Sequence, residues 1–339
     1  MIGAFNMKPQ TAILIGAGDR GGRAYAPYAL EYPNELTIIG LAEPNKERRT
    51  RVQREHHISD ENSYESWEEI LNHGTKIADI AIICTLDQNH FKPAMKALEL
   101  GYHVLLEKPM SPDPVECIMM ERAAQKYNRQ LTICHVLRYT EFWATIKKII
   151  SKGDIGEVVS LQLNENVEVM HMSHSFVRGN WNNKGRTSPM ILQKSCHDMD
   201  IISFVIGKDC KRVSSYGSLM HFKEENAPSG APNKCLDGCP AELECPFHAG
   251  RYYLGEGKGW AKKFTEDDTN EGIIKALQET PYGKCVYRSE NDVVDHQVVN
   301  MEFEGGATAT FSMCGFTREQ TRIVQIMGTK GEIRGNMEE

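Results

Sequence analysis

Short runs rich in Ile, Val and Leu alternate with amphipathic stretches between Thr11 and His135. The runs predict strands, and the amphipathic stretches between them have the length of helices. We predict strands at Thr11–Gly16, Leu36–Glu43, Ile77–Thr85, His103–Lys108 and Gln130–His135. We predict helices at Gly21–Tyr32, Asn45–His56, Trp67–His73, His90–Leu100 and Pro114–Tyr127. This alternation is typical of a doubly wound α/β domain with a parallel sheet, which we assign to residues 1–137.

The pattern changes after Thr140. The runs that follow alternate apolar and polar residues, which is typical of half-buried strands. We predict strands at Glu157–Val167, Arg212–Leu219, Val293–Glu304, Ala307–Phe316, Arg322–Gly328 and Glu332–Gly335, with helices at Glu141–Ser151 and Asp198–Ile206. This order predicts a C-terminal α+β domain with a large, mainly antiparallel open sheet at residues 138–339. Residues 223–285 are rich in Gly, Pro, Asn and Cys and lack a clear period, so they are predicted to form either a long functional loop or a cysteine-rich insertion that needs a stabilising cross-link.

A glycine motif lies at the junction of the first predicted strand and helix and reads Gly16-Ala17-Gly18-Asp19-Arg20-Gly21. There the first glycine permits a tight turn, the second lets the backbone approach a diphosphate, and the helix N-terminus offers free N–H groups. Glu43 ends the second predicted strand, where a carboxylate accepts hydrogen bonds from the adenine ribose of NAD. Arg48 and Arg49 lie close enough in sequence to accommodate the 2′-phosphate of NADP. We therefore predict a nicotinamide dinucleotide, with NAD preferred; a plain strand-to-helix turn is the alternative.

Two further polar motifs lie at the ends of predicted parallel strands, where open α/β sheets bind their ligands. Thr85-Leu86-Asp87-Gln88-Asn89-His90 follows one strand, and Glu107-Lys108-Pro109 closes the next. Together with the glycine motif, Arg138-Tyr139 and the later His197-Asp198-Met199-Asp200, they resemble the Gfo/Idh/MocA family of dehydrogenases. The resemblance covers nearly the whole chain. It implies an N-terminal Rossmann domain that binds NAD(P) and a second sheet domain that binds substrate and forms homodimers or homotetramers.

The resemblance also implies roles for individual residues. Lys108 is then the catalytic lysine, and His197 and Asp200 match a His-x-x-Asp motif close to the substrate. Gln193 stands where the family commonly has an aspartate and Ser195 where it has a glycine, a departure that argues for a subfamily with its own substrate contacts. The implied cofactor-binding residues are Gly16, Gly18, Asp19, Arg20, Gly21, Glu43, Thr85, Asn89, His90, Glu107 and Lys108. The candidate substrate contacts are Arg138, Trp181, Gln193 and Asp200.

The predicted hydride transfer requires catalytic roles for two of these side chains, His197 and Lys108. Oxidation of an alcohol requires a base at the hydroxyl as hydride leaves. His197 titrates near neutral pH without tuning, and the Lys108 ammonium would stabilise developing alkoxide charge. We predict that both converge on one pocket and that hydride passes between the nicotinamide and a ring or chain carbon of a sugar, glycoside or polyol. Redox-assisted glycoside cleavage with tightly held NAD, and a non-catalytic nucleotide-sensing regulatory protein, are the alternatives.

Three residues near these motifs have weaker assignments. Trp181 and Arg178 are candidates to flank a sugar face and its hydroxyls, although a tryptophan that simply packs is an equal alternative. Asp198 is expected to be a solvated or helix-capping residue. These assignments depend on the side-chain environment, which the sequence does not specify.

Cysteines are concentrated in the insertion. Cys235, Cys239 and Cys245, with His248 or Cys285 as a fourth ligand, predict a structural zinc site that would help an irregular segment to fold. The gaps between these cysteines differ from those of common zinc modules. Reduced thiols and an iron–sulfur cluster therefore stay open as alternatives.

Composition limits the classes of binding partner and the cellular compartment that we expect for this chain. The 339-residue chain has a formal net charge of -7 at pH 7, without a long Lys/Arg run, which argues against nucleic acid. No apolar run has the length of a membrane span, so no membrane partner is predicted. Ten cysteines without a signal peptide indicate a cytoplasmic protein with reduced thiols. Because the family typically continues with a further strand and helix, we expect a truncation at Glu339.

Overall fold

The chain forms two compact units. The computed structural model describes residues 8–72 and 74–339, and one unit ends at Cys134 while the other begins at His135. Each unit has its own sheet and its own apolar core. Within the described ranges, no helix has the length and apolar character needed to cross a lipid bilayer.

A parallel sheet forms the centre of the first unit. Its strands are β1 (Gln10–Ile15), β2 (Leu36–Ala42), β3 (Ser63–Tyr64), β4 (Ile80–Ile83), β5 (His103–Leu106) and β6 (Leu131–Ile133). They lie in the order β3-β2-β1-β4-β5-β6, and all neighbouring pairs are parallel. Ile13 contributes to one core and Leu14 to another, because the sheet is covered on both faces. The predicted Rossmann domain is confirmed.

Helices surround this first sheet at α1 (Ala26–Glu31), α2 (Lys46–Glu55), α3 (Trp67–Leu71), α4 (Phe91–Glu99) and α5 (Pro114–Lys126). The side chains of Asn45 and Asp113 accept backbone hydrogen bonds at the starts of α2 and α5, as helix-capping residues do. The first regular helix begins later than predicted, because a π-type segment, Asp19–Tyr25, precedes it. The sequence analysis missed β3, since two residues are too short to show a period. His73, the predicted end of α3, lies outside the described residues.

A mixed sheet forms the centre of the second unit. Its strands are β7 (Val158–Glu168), β8 (Cys210–Ser218), β9 (His296–Phe303), β10 (Thr308–Thr317), β11 (Thr321–Gly328) and β12 (Glu332–Asn336). They lie in the order β12-β11-β7-β10-β9-β8. The β7–β10 pair is parallel and the other neighbouring pairs are antiparallel. The predicted α+β domain with a mainly antiparallel sheet is confirmed.

Helices of the second unit cover one face of its sheet and build the insertion. They are α6 (Glu141–Ser151), α7 (Val169–His171), α8 (Met190–Gln193), α9 (Cys196–Ile206), α10 (Ala249–Leu254), α11 (Lys258–Ala261) and α12 (Asn270–Glu279), with a π-type segment at Met172–Arg178. Three of these helices fall in the segment that shows no period in the sequence. They are short, and Gly255 and Gly257 separate two of them, which hides the helical repeat. Tyr253, Ile273 and Leu277 are fully buried and form a small core there.

Candidate active site

The glycine motif of the first unit forms a tight turn between β1 and the π-type segment. Gly16 has a φ of +89°, and a Cβ on Gly16 would lie 2.6 Å from the carbonyl oxygen of Cys84. A Cβ on Gly21 would lie 1.9 Å from the carbonyl oxygen of Gly16. At Gly18, by contrast, a Cβ would meet only the Arg48 guanidinium, at 3.8 Å. The turn is therefore closed against the sheet and open at Gly18, where a diphosphate would approach the backbone.

The close packing of Gly21 gives a testable prediction. We expect Gly21→Ala to lower NADH affinity at least about tenfold, or about 1.4 kcal/mol, because the added methyl group must displace the backbone of Gly16. Gly259→Ala is the matched control, since its Cβ would meet nothing within 4 Å. Fluorescence titration with NADH measures both variants. Equal affinity of Gly21→Ala and the wild type would contradict this account of the turn.

Glu43 braces the glycine turn from the end of β2. Its Oε2 accepts a hydrogen bond from the Ala17 N–H at 2.6 Å, and its Oε1 accepts one from the Asn45 N–H at 2.9 Å. The side chain is buried, and each carboxylate oxygen has a second lone pair for a ribose hydroxyl. Arg49 donates to the carbonyl oxygen of Glu43 and pairs with Glu65 at 2.7 Å. Arg49 is thus held by Glu43 and Glu65, whereas the Arg48 guanidinium lies near Gly18.

The two strand-end loops of the first unit are tied together by a buried histidine. His90 Nδ1 lies 2.7 Å from the carbonyl oxygen of Pro109, and Nε2 lies 3.0 Å from that of Thr85. The hydroxyl of Thr85 donates to the carbonyl oxygen of Asn89 at 3.0 Å. His90 therefore positions backbone between β4 and β5, while Asn89 and Thr85 lie at the surface of this loop.

Glu107 organises the residues around Lys108. Its Oε1 accepts the hydroxyl of Tyr25 at 2.6 Å, and its Oε2 accepts the N–H of Lys108 at 2.7 Å. Burial, together with the nearby Glu107, raises the pKa of Tyr25 and raises that of Cys134 to about 11. The phenol and the thiol thus stay protonated at neutral pH. Arg20 lies 3.9 Å from Glu107 on the exposed side, with Asp19 beside it. The hydrogen bond from its N–H to Glu107 holds the backbone of Lys108 in place, and the Lys108 side chain is half-buried.

In the second unit, His197 lies at the start of α9 beside a second imidazole. The rings of His135 and His197 are 6.3 Å apart and nearly perpendicular. Arg138 holds Asp200 by two hydrogen bonds of 2.7 and 2.6 Å, and His135 Nδ1 lies 4.0 Å from the same carboxylate. The hydrogen bond with Asp200 is the main cause that raises the pKa of Arg138. His135 is a site candidate that the sequence analysis missed, because one histidine after a strand carries no motif.

The Gln193 side chain links two neighbouring segments of the second unit by hydrogen bonds. It is buried, its Nε2 donates to the carbonyl oxygen of Trp181 at 2.8 Å, and its Oε1 accepts from the Thr187 hydroxyl at 3.4 Å. Its neutral side chain cannot relay a proton as a carboxylate would. Instead it fixes the segment that carries the half-buried Trp181.

Four buried charged side chains of the second unit form a network that is not predicted from the sequence. Asp198 Oδ1 accepts from Arg322 Nε at 2.8 Å, Arg322 also pairs with Glu165, and Glu165 lies 2.9 Å from the Lys194 ammonium. Burial raises the pKa of Asp198 to about 7, although Arg322 acts to lower it, and burial lowers that of Lys194. The expectation that Asp198 is solvated or caps a helix is wrong, because it is fully buried and paired.

Family models account for most of the chain. A model described as the oxidoreductase family, NAD-binding Rossmann fold, matches residues 11–135, and a model of the C-terminal alpha/beta domain of that family matches residues 147–339. The chain belongs to the Gfo/Idh/MocA oxidoreductase family. Lys108 and His197 of this Gfo/Idh/MocA chain lie in different units, and their convergence on one substrate stays a prediction.

Named relatives of this Gfo/Idh/MocA chain include enzymes of sugars and polyols. The putative oxidoreductase YteT of Bacillus subtilis is 27% identical over 76% of this chain and 60% of that protein. The 2,7-anhydro-N-acetylneuraminate hydratase of Escherichia coli is 24% identical over 61% of this chain and 54% of that protein. The scyllo-inositol 2-dehydrogenase (NADP(+)) IolW of Bacillus subtilis is 31% identical over 29% of this chain and 27% of that protein. The matched part is thus less than two thirds of each relative.

Solved structures share the Gfo/Idh/MocA fold. The apo scyllo-inositol dehydrogenase from Lactobacillus casei has a TM-score of 0.68 at 16% identity, covering 98% of this chain and 76% of that one. The WlbA dehydrogenase from Chromobacterium violaceum, in complex with NADH and UDP-GlcNAcA, has a TM-score of 0.68 at 15% identity, covering 99% and 77%. At these identities the likeness shows the fold alone.

Four cysteines of this Gfo/Idh/MocA chain lie near one another in the insertion. Cys235, Cys239, Cys245 and Cys285 line one small cavity. Yet in the part of the chain that the structure describes, no three His, Cys, Asp or Glu side chains are placed to hold a metal ion. The predicted zinc site is therefore not supported. Both ring nitrogens of His248 already have hydrogen-bond partners. Its Nε2 lies 2.9 Å from the Cys235 carbonyl oxygen, and its Nδ1 accepts the N–H of Arg251.

Arg178 explains why a cation fits poorly among these thiols. It is buried, and its guanidinium lies 3.7 Å from the Cys235 sulfur. It also donates to the carbonyl oxygens of Lys284, at 2.7 Å, and Phe247, at 2.5 Å. A permanent positive charge beside the thiols opposes a second cation. These Arg178 contacts are all with residues of the insertion, which contradicts its expected role in binding sugar hydroxyls.

Proposed function

We propose that this chain is an NAD(P)-dependent oxidoreductase that transfers a hydride between the nicotinamide and a CH–OH carbon of a sugar, glycoside or polyol. The observation that carries the proposal is the glycine turn, which is closed by Gly16 and Gly21 and open at Gly18. The residues present fit a dinucleotide, because backbone N–H groups at a helical N-terminus favour a diphosphate. Glu43 supports NAD over NADP, since a buried carboxylate repels a 2′-phosphate.

The chain's own residues would divide the remaining work. When bound, the nicotinamide accepts or supplies the hydride. The Lys108 ammonium would bind the substrate oxygen and stabilise negative charge on it. His197 would take the hydroxyl proton, with Arg138 and Asp200 forming a charged pair beside the two imidazoles. The cofactor contacts proposed for Thr85, Asn89, His90 and Glu107 follow from their places at the ends of β4 and β5.

Relatives support the substrate class. Proteins similar to this chain are named inositol 2-dehydrogenase and scyllo-inositol dehydrogenase, and one solved neighbour holds UDP-GlcNAcA with NADH. All of these names describe hydroxyl-rich rings. A cytoplasmic location and assembly into homodimers or homotetramers stay predictions.

A plate screen tests the proposal directly. Sugars, glycosides and polyols are incubated with the protein and either NAD or NADP, and absorbance of the reduced nicotinamide is followed. We expect at least one of them to give reduced cofactor, with NAD the faster oxidant. Glycoside cleavage without net NADH would favour the redox-assisted alternative. Dinucleotide binding without turnover on any compound would favour a regulatory protein.

The proposed base gives a second prediction. We expect His197→Asn to lower kcat by about 10² to 10⁴, the usual contribution of a general base, and to remove the acidic limb of the pH–rate profile. Asparagine keeps a polar side chain of similar size in this buried position. His296→Asn is the control, because His296 is exposed on β9 and bonds Asp295 at 2.8 Å. An unchanged pH–rate profile in His197→Asn would exclude His197 as the base.

A further inference from the structure

A row of aromatic side chains connects the motif around position 193 with the insertion. Gln193 donates to the carbonyl oxygen of Trp181 at 2.8 Å. The Trp181 ring lies 6.2 Å from that of Phe176, which lies 5.7 Å from the His171 ring. The His171 ring in turn lies 5.0 Å from Trp260 of α11. Trp181, His171 and Trp260 are half-buried, whereas Phe176 between them is buried.

The insertion end of the row is held by a cluster of packed rings. The buried His174 lies 4.7 Å from both Trp260 and Tyr282, and its Nδ1 bonds the Tyr253 hydroxyl at 2.7 Å. Phe264 stacks on Tyr282 at 4.5 Å with 17° between the rings. This packing fixes the Trp260 indole from one side. The insertion therefore presents a rigid aromatic surface, which a ligand can bind without first ordering it.

The half-buried Trp260 indole has an exposed lysine over its ring. The exposed Lys263 places its ammonium 4.5 Å above this ring. An exposed cation–π contact contributes only about 0.5–1 kcal/mol, so a ligand can displace it or use the ammonium as a donor. The exposed Gln320 accepts a hydrogen bond from the Nδ1–H of His171 through its Oε1, at 2.7 Å. Burial lowers the pKa of His171 to about 3, so the ring is neutral and can exchange hydrogen bonds with hydroxyls.

These features match the chemistry of a sugar ring. A pyranose has an apolar C–H face that packs on an aromatic face and a rim of hydroxyls that need donors and acceptors. The steps between rings in the row are comparable to the length of one sugar unit. We propose that Trp260, with His171, Lys263 and Gln320 at its edge, binds a sugar unit beyond the one that reacts. The substrate class is then a glycoside or oligosaccharide of at least two units, an inference that rests on the proposed function.

A glycan array tests this subsite. Labelled protein with NADH is applied to immobilised mono-, di- and trisaccharides, and retention is measured. The wild type is expected to retain some di- or trisaccharides at least tenfold better than their component monosaccharides. Trp260→Ala is expected to reduce that retention at least tenfold, whereas Trp260→Phe, which keeps an aromatic face, retains most of it. Trp67→Ala, which removes a half-buried tryptophan of the first unit, leaves the profile unchanged.

Every outcome bears on the subsite. No retention of any glycan by the wild type, or equal retention by Trp260→Ala, would overturn it. If Trp260→Ala does not fold, Gln320→Ala decides, because this exposed substitution spares the core. We expect it to weaken di- and trisaccharide retention about threefold, and unchanged retention would count against the subsite. Glycans that are retained through Trp260 but never reduce NAD would contradict the proposed hydride transfer while leaving the subsite intact.

Discussion

Lys108→Ala is expected to reduce hydride transfer by about 10²- to 10⁴-fold while NADH still binds. The loss follows from removing both a positive charge and a proton donor at the reacting oxygen. Binding is expected to survive because, in the proposed complex, backbone N–H groups of the glycine turn rather than this ammonium would hold the diphosphate. Glu107 still accepts the N–H of residue 108, at 2.7 Å in the wild type, so the backbone stays in place. Steady-state rates with a substrate from the plate screen, and NADH fluorescence, measure the two effects separately.

Two further variants sharpen this test. Lys92→Ala removes an exposed lysine of α4 in the same unit and is expected to behave like the wild type. Lys108→Arg keeps the charge but loses the transferable proton, so partial activity is expected. Near-normal turnover by Lys108→Ala would end the catalytic assignment. Loss of NADH binding would instead show that Lys108 contributes mainly to cofactor affinity and would contradict its expected role at the reacting oxygen.

Arg322→Met is expected to lower the free energy of unfolding by about 3–5 kcal/mol, which is typical for removing one member of a buried ion pair. Arg322 bonds Asp198 at 2.8 Å and pairs with Glu165, and both carboxylates are fully buried. Methionine has a comparable length, so cavity formation contributes little. The cost comes from leaving buried carboxylates with Lys194 as their remaining nearby cation. Urea unfolding followed by circular dichroism gives the value.

Arg334→Met is the matched control for this prediction. Its side chain is 69% exposed on β12, and an exposed ion pair contributes about 0–1 kcal/mol. A loss below about 1 kcal/mol in Arg322→Met would show that the carboxylates become protonated or hydrated at little cost. The same variant should also perturb His197, because His197 directly precedes Asp198 in the sequence. We therefore expect a lower kcat in any Arg322→Met protein that remains folded.

The sheets and the nucleotide turn follow from local sequence rules. Buried parallel strands read as continuous apolar runs, as at Ala12 to Ile15, and half-buried strands read as alternation, as in β10. The positions of Gly16, Gly21 and Glu43 are set by spacing along one strand-helix-strand unit. Such information is local, which explains why the parallel first sheet and the mainly antiparallel second sheet are both predicted correctly.

The charge network and the aromatic row depend on contacts between distant residues. Asp198 and Arg322 are 124 positions apart, and Asp198 looks like any polar residue at the start of a helix. The cysteine spacing predicts zinc, but the spacing does not reveal that Arg178 enters the same cavity from a segment 57 residues away. Side-chain partners of this kind are fixed by tertiary packing rather than by neighbours in the sequence. His135 and Lys194 were overlooked for the same reason.

The buried guanidinium of Arg178 has a consequence for protein engineering. Its acceptors, the carbonyl oxygens of Phe247 and Lys284, both belong to the insertion. Trimming the insertion to obtain a smaller enzyme would leave a full charge facing apolar side chains, at a cost of several kcal/mol. A shortened chain would therefore need a simultaneous replacement of Arg178 by an uncharged residue.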